Sequence, residues 1–590
     1  MPRWAAAILL AVIAVLPVTG LIPPFWITLA DNIGLAALVA MGLVLLTGVG
    51  GMTSFGQAAL VGFGAYTTGV LTTGFGLSPW LSLPVALLVT GAVALILGLL
   101  TVRLAGHYLP LGTLAWGLSI YFLFSRLDVL GRHDGIGNLP APAFGPISMN
   151  TPLGMYPLIW IMVALAGWAT VNLLNSRTGR AIRALRGHGE MARSFGVDKA
   201  RFKLLVFVYA ALLAGLSGWL YAHLQRGVSP APFGVIPGME YLFMAVIGGA
   251  GQVGGAVLGA TVVIVLKDLL QRFTPLLVGP DLQLEAVVFC VIVLTMLRFA
   301  RDGLWPRFAG LFLARPHALE AAGAEPLPHR VDASPAPNAG PLLALEEVTK
   351  RFGGLTAVNS VSFGVGRGEI VALIGPNGAG KSTTFDLISG VQAVSDGKIS
   401  FDGAAIANAT PNRIAALGIG RTFQHTKLVG DMSLLENVAL GAHQRLRPNA
   451  LASILRLDRA DEARLLSEAA KQIERVGLSA QQSMPAGSLA LGQQRIAEIA
   501  RALALDPRLL LLDEPAAGLR HFEKEALATL LRSLRDEGLT VLLVEHDMGF
   551  VMGLVDRIVV LDFGTKIAEG KPDAIRTDPA VIEAYLGGVE

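Results

Sequence analysis

The chain has 590 residues, more than a single hydrophobic core usually serves, so two or more domains are expected. Hydrophobic residues make up 53% of the chain and charged residues only 15%, which places at least part of it in lipid. The net charge of +3 is too small to indicate nucleic acid as a partner. The single cysteine excludes an intrachain disulfide and a metal cluster built from thiolates.

Apolar segments long enough to cross the hydrocarbon of a membrane recur through the first half of the chain. About 20 residues are needed for each crossing. The candidates are residues 4–22, 27–49, 55–74, 81–103, 109–127, 155–174, 203–223, 252–271 and 281–299. The first candidate could be a cleaved signal peptide, but no small-residue cleavage site stands out and another apolar segment follows at Phe25. An uncleaved first span is therefore favoured.

The stretch 176–203 between two predicted spans is strongly basic, with only Glu190 and Asp198 as acids. A basic loop of this kind stays in the cytoplasm, and counting back through six spans places the N-terminus there too. If the C-terminal half is also cytoplasmic, the number of later spans must be even. We therefore predict a short or broken helix at 237–249, buried in protein, which gives about ten passages.

After the last apolar segment the composition changes twice. Residues 314–341 contain six prolines and eight alanines without apolar periodicity, which predicts a flexible tether. The rest of the chain has the composition of a soluble domain. The predicted organisation is a membrane domain at 1–313, a flexible Ala/Pro-rich linker at 314–342 and a soluble domain at 343–590.

A phosphate-binding loop is predicted where the apolar run from Glu369 meets GPNGAGKS at 375–382. Glycines in such a loop let backbone amides turn toward phosphates, Lys381 would reach the β and γ phosphates, and the Ser382 hydroxyl would ligate magnesium. ATP and Mg²⁺ are therefore the predicted cofactors. The predicted nucleotide contacts in this loop are Gly375, Pro376, Asn377, Gly378, Ala379, Gly380, Lys381, Ser382 and Thr383.

Two acids follow the buried strand predicted at LLLLDE, residues 509–514. Asp513 would hold the magnesium shell, and Glu514 would act as general base for the attacking water. Paired acids after a strand could instead cap the next helix. The phosphate-binding loop upstream favours the catalytic interpretation.

The ordered motifs of residues 343–590 resemble an ABC transporter ATPase. The resemblance implies that Gln424, in RTFQ, senses the γ-phosphate and magnesium, and that His546, in VEHD, is the switch histidine. Phe352, in RFGG, stands where the family stacks an aromatic ring on adenine, although a core phenylalanine is the alternative. The segment LALGQQR occupies the family's signature position, before a helix whose N-terminus can face phosphate, and supplies Leu489, Ala490, Leu491, Gly492 and Gln493.

The sequence departs from this family in two places. Ala490 and Leu491 replace the Ser and Gly of the common signature LSGGQ, so Gly492 and backbone amides would carry the phosphate contact. Arg520 stands where many relatives have Asp, which puts the usual contact across an ATPase dimer in doubt. Because the family forms each ATP site from two subunits, the resemblance implies a second ABC ATPase subunit.

The membrane half resembles the permeases of branched-chain amino acid importers. The strings that carry this resemblance are GMTSFGQAALVGFGAY at 51–66, RLAGHYLPLGTLAW at 103–116, GRHDGIGNLP at 131–140, SRTGRAIRALRGHGEMARSFGVD at 176–198 and EYLFMAVIGGAGQVGGAVLGA at 240–260. LDEPAAGL at 512–519 and VIEAYLG at 581–587 resemble the same system's ATP-binding subunits. The expected fold is an all-α polytopic membrane domain followed by an α/β P-loop ATPase.

The resemblance implies ATP-driven import across the bacterial inner membrane, with the N-terminus and the ATPase in the cytoplasm. Implied partners are a second permease subunit, a second ATPase subunit and a periplasmic solute-binding protein. Glu190 and Gly196 resemble the importer coupling motif, a short helix seated in a groove of the ATPase, although attraction of a basic helix to anionic membrane lipid is the alternative. The small residues at 51–69 indicate close helix packing and, secondarily, a lining of the pathway.

Three rival functions stay open from the sequence. The first is import of urea, a short amide or another small solute, because no charged group in the apparent pathway identifies an amino acid. The second is an exporter, which the short basic loop disfavours. The third is a membrane ATPase that transports nothing, which the permease-like half disfavours.

Overall fold

A computed structural model describes residues 17, 20, 22–102, 104, 108–145, 147–278, 285–300, 302–312, 323–330, 340–446 and 449–586. Its contacts form two compact units, one of Met1–Asn175 with Ala200–Pro316 and the other of Ser176–Lys199 with His317–Glu590. The short segment Ser176–Lys199, which lies between two membrane helices in the sequence, thus belongs to the unit that contains the C-terminal half.

The first unit is helical. In chain order the helices up to residue 312 are α1 (Pro24–Leu43), α2 (Gln57–Gly69), α3 (Pro79–Thr101), α4 (Tyr108–Arg126), α5 (Pro152–Leu174), α6 (Arg177–Leu185), α7 (Gly189–Ser194), α8 (Lys199–Gln225), α9 (Val235–Gly248), α10 (Val253–Val278), α11 (Glu285–Phe299) and α12 (Trp305–Phe312). Helices α6 and α7 belong to the second unit. Turns of π-helix extend α1 through Val44–Val49 and α2 through Val70–Gly74, and 3-10 turns lie at Asp128–Leu130 and Ala231–Phe233.

Short strands lie in the connections of this unit. Strand β1 (Ile136–Gly137) pairs with β4 (Gly227–Val228), and β2 (Ala143–Phe144) pairs with β3 (Ile147–Ser148), both antiparallel. These pairs satisfy backbone groups of the long connections that leave α4 and α8.

Six of the described helices are long and apolar enough to cross a membrane: Pro24–Val49, Pro79–Thr101, Tyr108–Arg126, Pro152–Leu174, Lys199–Gln225 and Val253–Phe273. The short helix predicted near 237–249 is present as α9, and another apolar piece covers Val287–Met296. The predicted number of about ten passages is not confirmed. The candidate span at 4–22 lies outside the described residues, apart from residues 17, 20 and 22.

Burial distinguishes an inner helix from outer helices in the first unit. Helix α1 is buried over most of its length, whereas α3 and α4 leave Leu88, Leu100 and Leu111 more than half exposed. Because α3 and α4 are apolar all round, these exposed side chains suit contact with lipid. The unit therefore packs a central helix inside others that face the hydrocarbon.

The second unit contains two sheets. The strands are β5 (Leu343–Phe352), β6 (Leu355–Val365), β7 (Ile370–Ile374), β8 (Asp396–Phe401), β9 (Ala404–Ala405), β10 (Ile419–Arg421), β11 (Leu509–Asp513), β12 (Thr540–Val544), β13 (Arg557–Asp562) and β14 (Thr565–Gly570). The larger sheet has the order β10-β11-β12-β7-β13-β14, parallel except for β14. The smaller sheet, β6-β5-β8-β9, is antiparallel.

Helices cover these sheets and form a second apolar cluster. They are α13 (Lys381–Ile388), α14 (Pro411–Leu417), α15 (Leu434–Gly441), α16 (Ala450–Ile454), α17 (Arg459–Arg475), α18 (Leu491–Ala504), α19 (His521–Asp536), α20 (Met548–Met552), α21 (Pro572–Arg576) and α22 (Pro579–Leu586), with 3-10 turns at His443–Arg445, Ser479–Gln481 and Ala486–Ser488. Strands β7, β11 and β12 are buried at every residue, as expected for a parallel sheet covered on both faces. The predicted combination of a helical membrane region and an α/β ATPase fold is confirmed.

Part of the predicted linker is packed against the second unit. Leu327 is only 4% exposed, in the apolar cluster built by α15, α17 and α18. Arg445 Nη2 donates hydrogen bonds to the carbonyls of Leu327 and Pro328, at 3.2 and 2.6 Å, and the Arg330 N–H donates to Asp506 at 2.5 Å. A flexible tether was expected here. Residues 327–330 instead pack against the second unit, because the side chain of Leu327, the carbonyls of Leu327 and Pro328 and the N–H of Arg330 find partners there.

Candidate functional site

The phosphate-binding loop joins the buried strand β7 to α13. Its backbone has positive φ at Gly375, Gly378 and Gly380, with values of 149°, 86° and 93°. A Cβ at residue 375 would lie 2.0 Å from the carbonyl oxygen of Leu561, and one at 380 would lie 2.5 Å from that of Ala357. Only glycine therefore fits at positions 375 and 380, and the tight turn leaves the N-terminus of α13 open toward a phosphate.

Lys381 is the first residue of α13. Its Nζ donates hydrogen bonds to the carbonyls of Gly375 and Pro376, at 2.8 and 2.9 Å. Burial lowers the pKa of Lys381, and the negative charges of Glu514 and Asp513 oppose that shift. The ammonium group thus lies inside the loop, within reach of the acids at the end of β11.

Asp513 ends β11 and is 3% exposed. Burial raises the pKa of its carboxyl, against the attraction of Arg421, whose Nη2 lies 3.6 Å from Oδ2. The other oxygen, Oδ1, is buried and has no hydrogen-bond partner among the described residues. A buried carboxylate oxygen with a free lone pair suits a hard divalent cation, so this acid fits the predicted magnesium site.

Glu514 lies at the meeting point of two other predicted residues. Gln424 Nε2 donates a hydrogen bond to its Oε1 at 3.2 Å, and His546 Nδ1 lies 4.0 Å from its Oε2. The backbone of Glu514 has φ 49°, in the left-handed region, and its N–H donates to the carbonyl of Val544. The positive φ turns the chain away from β11, so that Glu514 and Asp513 serve different neighbours.

Glu545 is a member of this site that the sequence did not single out. It is fully buried, and its carboxylate accepts hydrogen bonds from the N–H of Ala516 at 2.6 Å and of His546 at 3.1 Å. Burial raises its pKa, and these backbone donors oppose the shift. Glu545 therefore joins the segment after Glu514 to His546, the predicted switch histidine. Its position in VEHD, beside His546, is the sequence feature that could have identified it as part of the site.

The signature segment lies at the start of α18 and contacts α19. The N–H of Ala490 donates to Oε1 of Gln493 at 3.2 Å, so Gln493 caps the helix that Leu491 begins. A Cβ at Gly492 would lie 2.9 Å from Oε1 of Glu523. The other carboxylate oxygen of Glu523, Oε2, accepts a hydrogen bond from the N–H of Arg520. Leu489 is buried, and Leu491 is 57% exposed. The hydrogen bonds between Ala490 and Gln493 and between Gln494 and Leu489 are local to the start of α18.

Phe352 lies at the end of β5, where that strand turns into β6. Its side chain is 44% exposed, and Lys350 Nζ lies 4.8 Å from the ring centroid. A core phenylalanine would be buried. The exposed ring of Phe352 therefore fits the predicted stacking on a ligand better than the alternative of a core residue.

The segment Ser176–Lys199 packs on helices α15 to α17 of the ATPase. Arg180 is 1% exposed and forms an ion pair with Glu462, and Arg183 Nη2 lies 2.5 Å from Oε1 of Glu436. Burial raises the pKa of Glu436, but the charge and hydrogen bond of Arg183 outweigh it, so that pKa is lowered overall. These arginines pair with carboxylates, which favours docking on protein over attraction to lipid headgroups.

The second half of this segment contacts the loop that carries Gln424. Phe195 is fully buried beneath the guanidinium of Arg501, 5.0 Å from its ring centroid, and Arg501 Nη1 donates to the carbonyl of Lys427. Lys427 Nζ also lies 3.9 Å from Oε2 of Glu190. Residues 176–199 and the loop after Gln424 are therefore parts of one contact network.

Gly196 has φ 87°, and a Cβ there would lie 2.1 Å from Cγ of Gln444. Both residues predicted for coupling, Glu190 and Gly196, thus lie in the segment that packs on the ATPase. In the sequence, the neighbouring arginines indicated only that this loop lies on the cytoplasmic side of the membrane. Their carboxylate partners were not predicted, because these lie more than 250 positions away in the chain.

Family profiles match most of the chain. The permease family described as "Branched-chain amino acid transport system / permease component" matches residues 26–297. The family described as "ABC transporter" matches residues 358–517, and the one described as "Branched-chain amino acid ATP-binding cassette transporter" matches residues 565–590.

Individual relatives align with the ATPase half. The high-affinity branched-chain amino acid transport ATP-binding protein LivG of Salmonella typhimurium is 43% identical over 250 residues, which cover 42% of this chain and 98% of that protein. The equivalent protein BraF of Pseudomonas aeruginosa is 44% identical with the same coverage. The crystal structure of a nucleotide-free ATP-binding cassette from an ABC transporter is 32% identical, with a TM-score of 0.38, and covers 42% of this chain and 99% of its own.

The chain belongs to the branched-chain amino acid ABC transporter family. It joins a permease component and an ATP-binding component of that family in one polypeptide, and its C-terminal half is an ABC ATPase. Membership of this family implies partner transporter subunits and a binding protein.

In this ABC ATPase we expect Lys381→Ala to weaken ATP binding by about tenfold to a hundredfold, because a hydrogen bond to a charged group contributes about 1.5–3 kcal/mol. Titration of the purified transporter with a fluorescent ATP analogue measures the affinity. Lys398→Ala removes an exposed lysine from β8 and is the control. Equal affinities in the two variants would contradict the placement of Lys381 on the phosphates.

Gly196→Ala should reduce transport about 5- to 100-fold, because overpacking against Gln444 costs about 1–3 kcal/mol. Gly187→Ala is the matched control: it also has positive φ, at 99°, but a Cβ there meets nothing within 4 Å. Uptake per ATP hydrolysed, measured in reconstituted vesicles, separates the two variants. Equal losses would show that backbone strain, and not the contact with Gln444, causes the defect.

Proposed function

We propose that the chain is a fused permease and ATPase subunit of an importer that moves branched-chain amino acids across the bacterial inner membrane. Its partners would be a second permease subunit, a second ABC ATPase subunit and a periplasmic binding protein. The observation that carries this proposal is the docking of Ser176–Lys199 on the ATPase through the buried pair of Arg180 and Glu462. That segment connects α5 and α8, so closure of the ATPase would pull directly on two membrane helices.

The domain limits follow from this proposal. The permease would occupy residues 1–313, the linker 314–342 and the ATPase 343–590. The N-terminus and the ATPase would lie in the cytoplasm, with the basic loop on the same side.

In the nucleotide site, Glu514 would accept a proton from the attacking water while Gln424 and His546 hold its carboxylate in place. Lys381 and the loop amides would bind the phosphates, and Phe352 would stack on adenine. Ser382, Gln424 and Asp513 would hold Mg²⁺, which neutralises phosphate charge when bound. Residues Leu489 to Gln493 would complete the site of the partner ATPase.

The transport cycle would be alternating access. ATP closes the two ATPase domains on each other, and the docked segment passes this movement to α5 and α8. Hydrolysis then reopens the pair. The cargo is chemically unchanged, because the only reaction is on ATP.

Uptake by the complete transporter tests the cargo. The chain, its partner subunits and the binding protein are reconstituted in vesicles with ATP inside, and uptake of labelled leucine, isoleucine and valine is compared with that of urea and acetamide. We expect uptake of the three amino acids only, dependent on the binding protein. Uptake of urea or acetamide instead would replace the cargo, and ATP-driven efflux that needs no binding protein would indicate an exporter.

A further inference from the structure

The path of the chain between α1 and α2 is interrupted inside the helical unit. After the π-helical turn ends at Val49, residues 51–56 have no regular structure, and α2 begins at Gln57. A connection between two membrane spans normally lies at the surface. Here Met52, Ser54 and Gly56 of the connection are buried, and Ser54 and the first helical residue, Gln57, are each 1% exposed.

The neighbours of this break lie on α4, so the break lies within the length of that helix. The N–H of Phe55 donates to Oγ1 of Thr113 at 3.1 Å, and a Cβ at Gly56 would lie 2.2 Å from a ring carbon of Trp116. Trp116 is the ninth of the 19 residues of α4, a helix long enough to cross the membrane. The break therefore lies alongside α4, and α2 begins within the length of that helix and not beyond its end.

Irregular backbone at this depth persists only where it is packed in protein or lines a polar cavity. The N-terminus of a helix carries the positive end of its dipole and unpaired N–H groups, which favour the acidic group of a ligand. The cap residue Gly56 offers no side-chain hydrogen bond to the first turn of α2. The first N–H groups of this helix therefore have no partner within the helix.

Buried side-chain groups at the same place also lack partners. Ser54 Oγ, both the Nε2 and Oε1 atoms of Gln57, and Trp116 Nε1 are buried without a hydrogen-bond partner among the described residues. Leaving such groups unpaired costs free energy, so native proteins rarely do so without another use. Three of these atoms can donate a hydrogen bond, and the sequence has no charged residue between Asp31 and Arg103. The break thus offers donors to an anion and no fixed charge.

We infer that this break binds the α-carboxylate of the amino acid during its passage, with Ser54, Gln57, Trp116 and the first turn of α2 as hydrogen-bond donors. The inference rests on the proposed function, since it requires a cargo with a carboxylate. It gives the permease half a part in recognising the cargo. Gly56 then has two roles: it admits the ring of Trp116, and it leaves the start of α2 uncovered.

Equilibrium binding of labelled leucine to the purified complex in nanodiscs, without the binding protein, tests this inference. The variants are Ser54→Ala, Gln57→Met, which keeps the size but removes the donor, and Gln57→Glu, which adds a negative charge. The control is Ser119→Ala, because Ser119 is exposed on α4 and donates to the carbonyl of Ala115. 3-Methylbutylamine, which is leucine without its carboxylate, serves as a competitor.

We expect Gln57→Glu to weaken leucine binding at least about tenfold, with several-fold losses in Ser54→Ala and Gln57→Met and none in Ser119→Ala. The amine should compete at least about tenfold less well than unlabelled leucine. If the complex with Gln57→Glu does not assemble, the leucine affinities of the two neutral variants, Ser54→Ala and Gln57→Met, test the inference. Wild-type affinity in all assembled variants, or equal competition by the amine, would overturn the inference while leaving uptake of leucine intact. Absence of leucine uptake by the wild-type transporter would instead refute the proposed function.

Discussion

Glu514→Gln should reduce ATP hydrolysis by about 10²- to 10⁴-fold, the usual contribution of a positioned general base. Glutamine can still contact Gln424 but cannot accept the proton of the attacking water. The other contacts on the phosphates are unchanged, so ATP should bind with nearly wild-type affinity. Phosphate release from the purified complex measures hydrolysis, and titration with a fluorescent ATP analogue measures binding.

Glu525→Gln provides the control for this experiment. Glu525 is a carboxylate on α19 that is largely exposed and faces His521, away from the phosphate-binding loop. It should hydrolyse ATP at the wild-type rate. Hydrolysis at that rate by Glu514→Gln would show that another group, or water alone, takes the proton, and the assignment of the base would be wrong.

Arg180→Met should weaken docking of residues 176–199 on the ATPase by about 10²- to 10³-fold. Removing one partner of a buried ion pair leaves the other charge unpaired, which costs about 3–5 kcal/mol. Arg180 is 1% exposed, and Glu462 opposite it is 16% exposed, so water cannot replace the lost partner fully. We expect ATP hydrolysis to continue while leucine uptake per ATP falls steeply in reconstituted vesicles.

A second substitution tests whether the lost charge causes this defect. Replacing both partners, as Arg180→Met with Glu462→Met, leaves no unpaired charge, and apolar pairs of similar volume are often as stable as the ion pair. The double variant should therefore recover most of the uptake. Arg186→Met, at an exposed position of the same segment, is the control. A double variant as defective as the single one would mean that Arg180 acts through something other than Glu462.

Several features of the molecule are fixed by local sequence. GPNGAGKS demands positive φ at its glycines, and the observed angles at Gly375, Gly378 and Gly380 meet that demand. Four leucines before Asp513 predict a strand covered on both faces, and β11 is such a strand. The long apolar segments form helices because hydrocarbon leaves backbone groups no other partners. These predictions succeed because the period of the hydrophobic pattern, the positions of glycines and the length of apolar runs determine local structure within a few residues.

Other features depend on contacts between residues distant in the sequence. The basic stretch 176–199 gives no local sign that Arg180 and Arg183 face Glu462 and Glu436, because the energy of a buried charge depends on what surrounds it. Leu327, in a segment with the composition of a flexible linker, is fixed by an apolar surface supplied by α15, α17 and α18. Composition alone cannot describe that surface.

By itself the sequence determined the two components, their order and the chemistry available to the nucleotide, since each follows from short motifs with fixed geometry. Only the tertiary structure decided which side chains lose water together. It placed the start of α2 beside α4 and buried Ser54 and Gln57 there, with side-chain polar atoms that have no hydrogen-bond partner among the described residues. The free energy of such groups is set by their surroundings, and those surroundings exist only after the helices have packed.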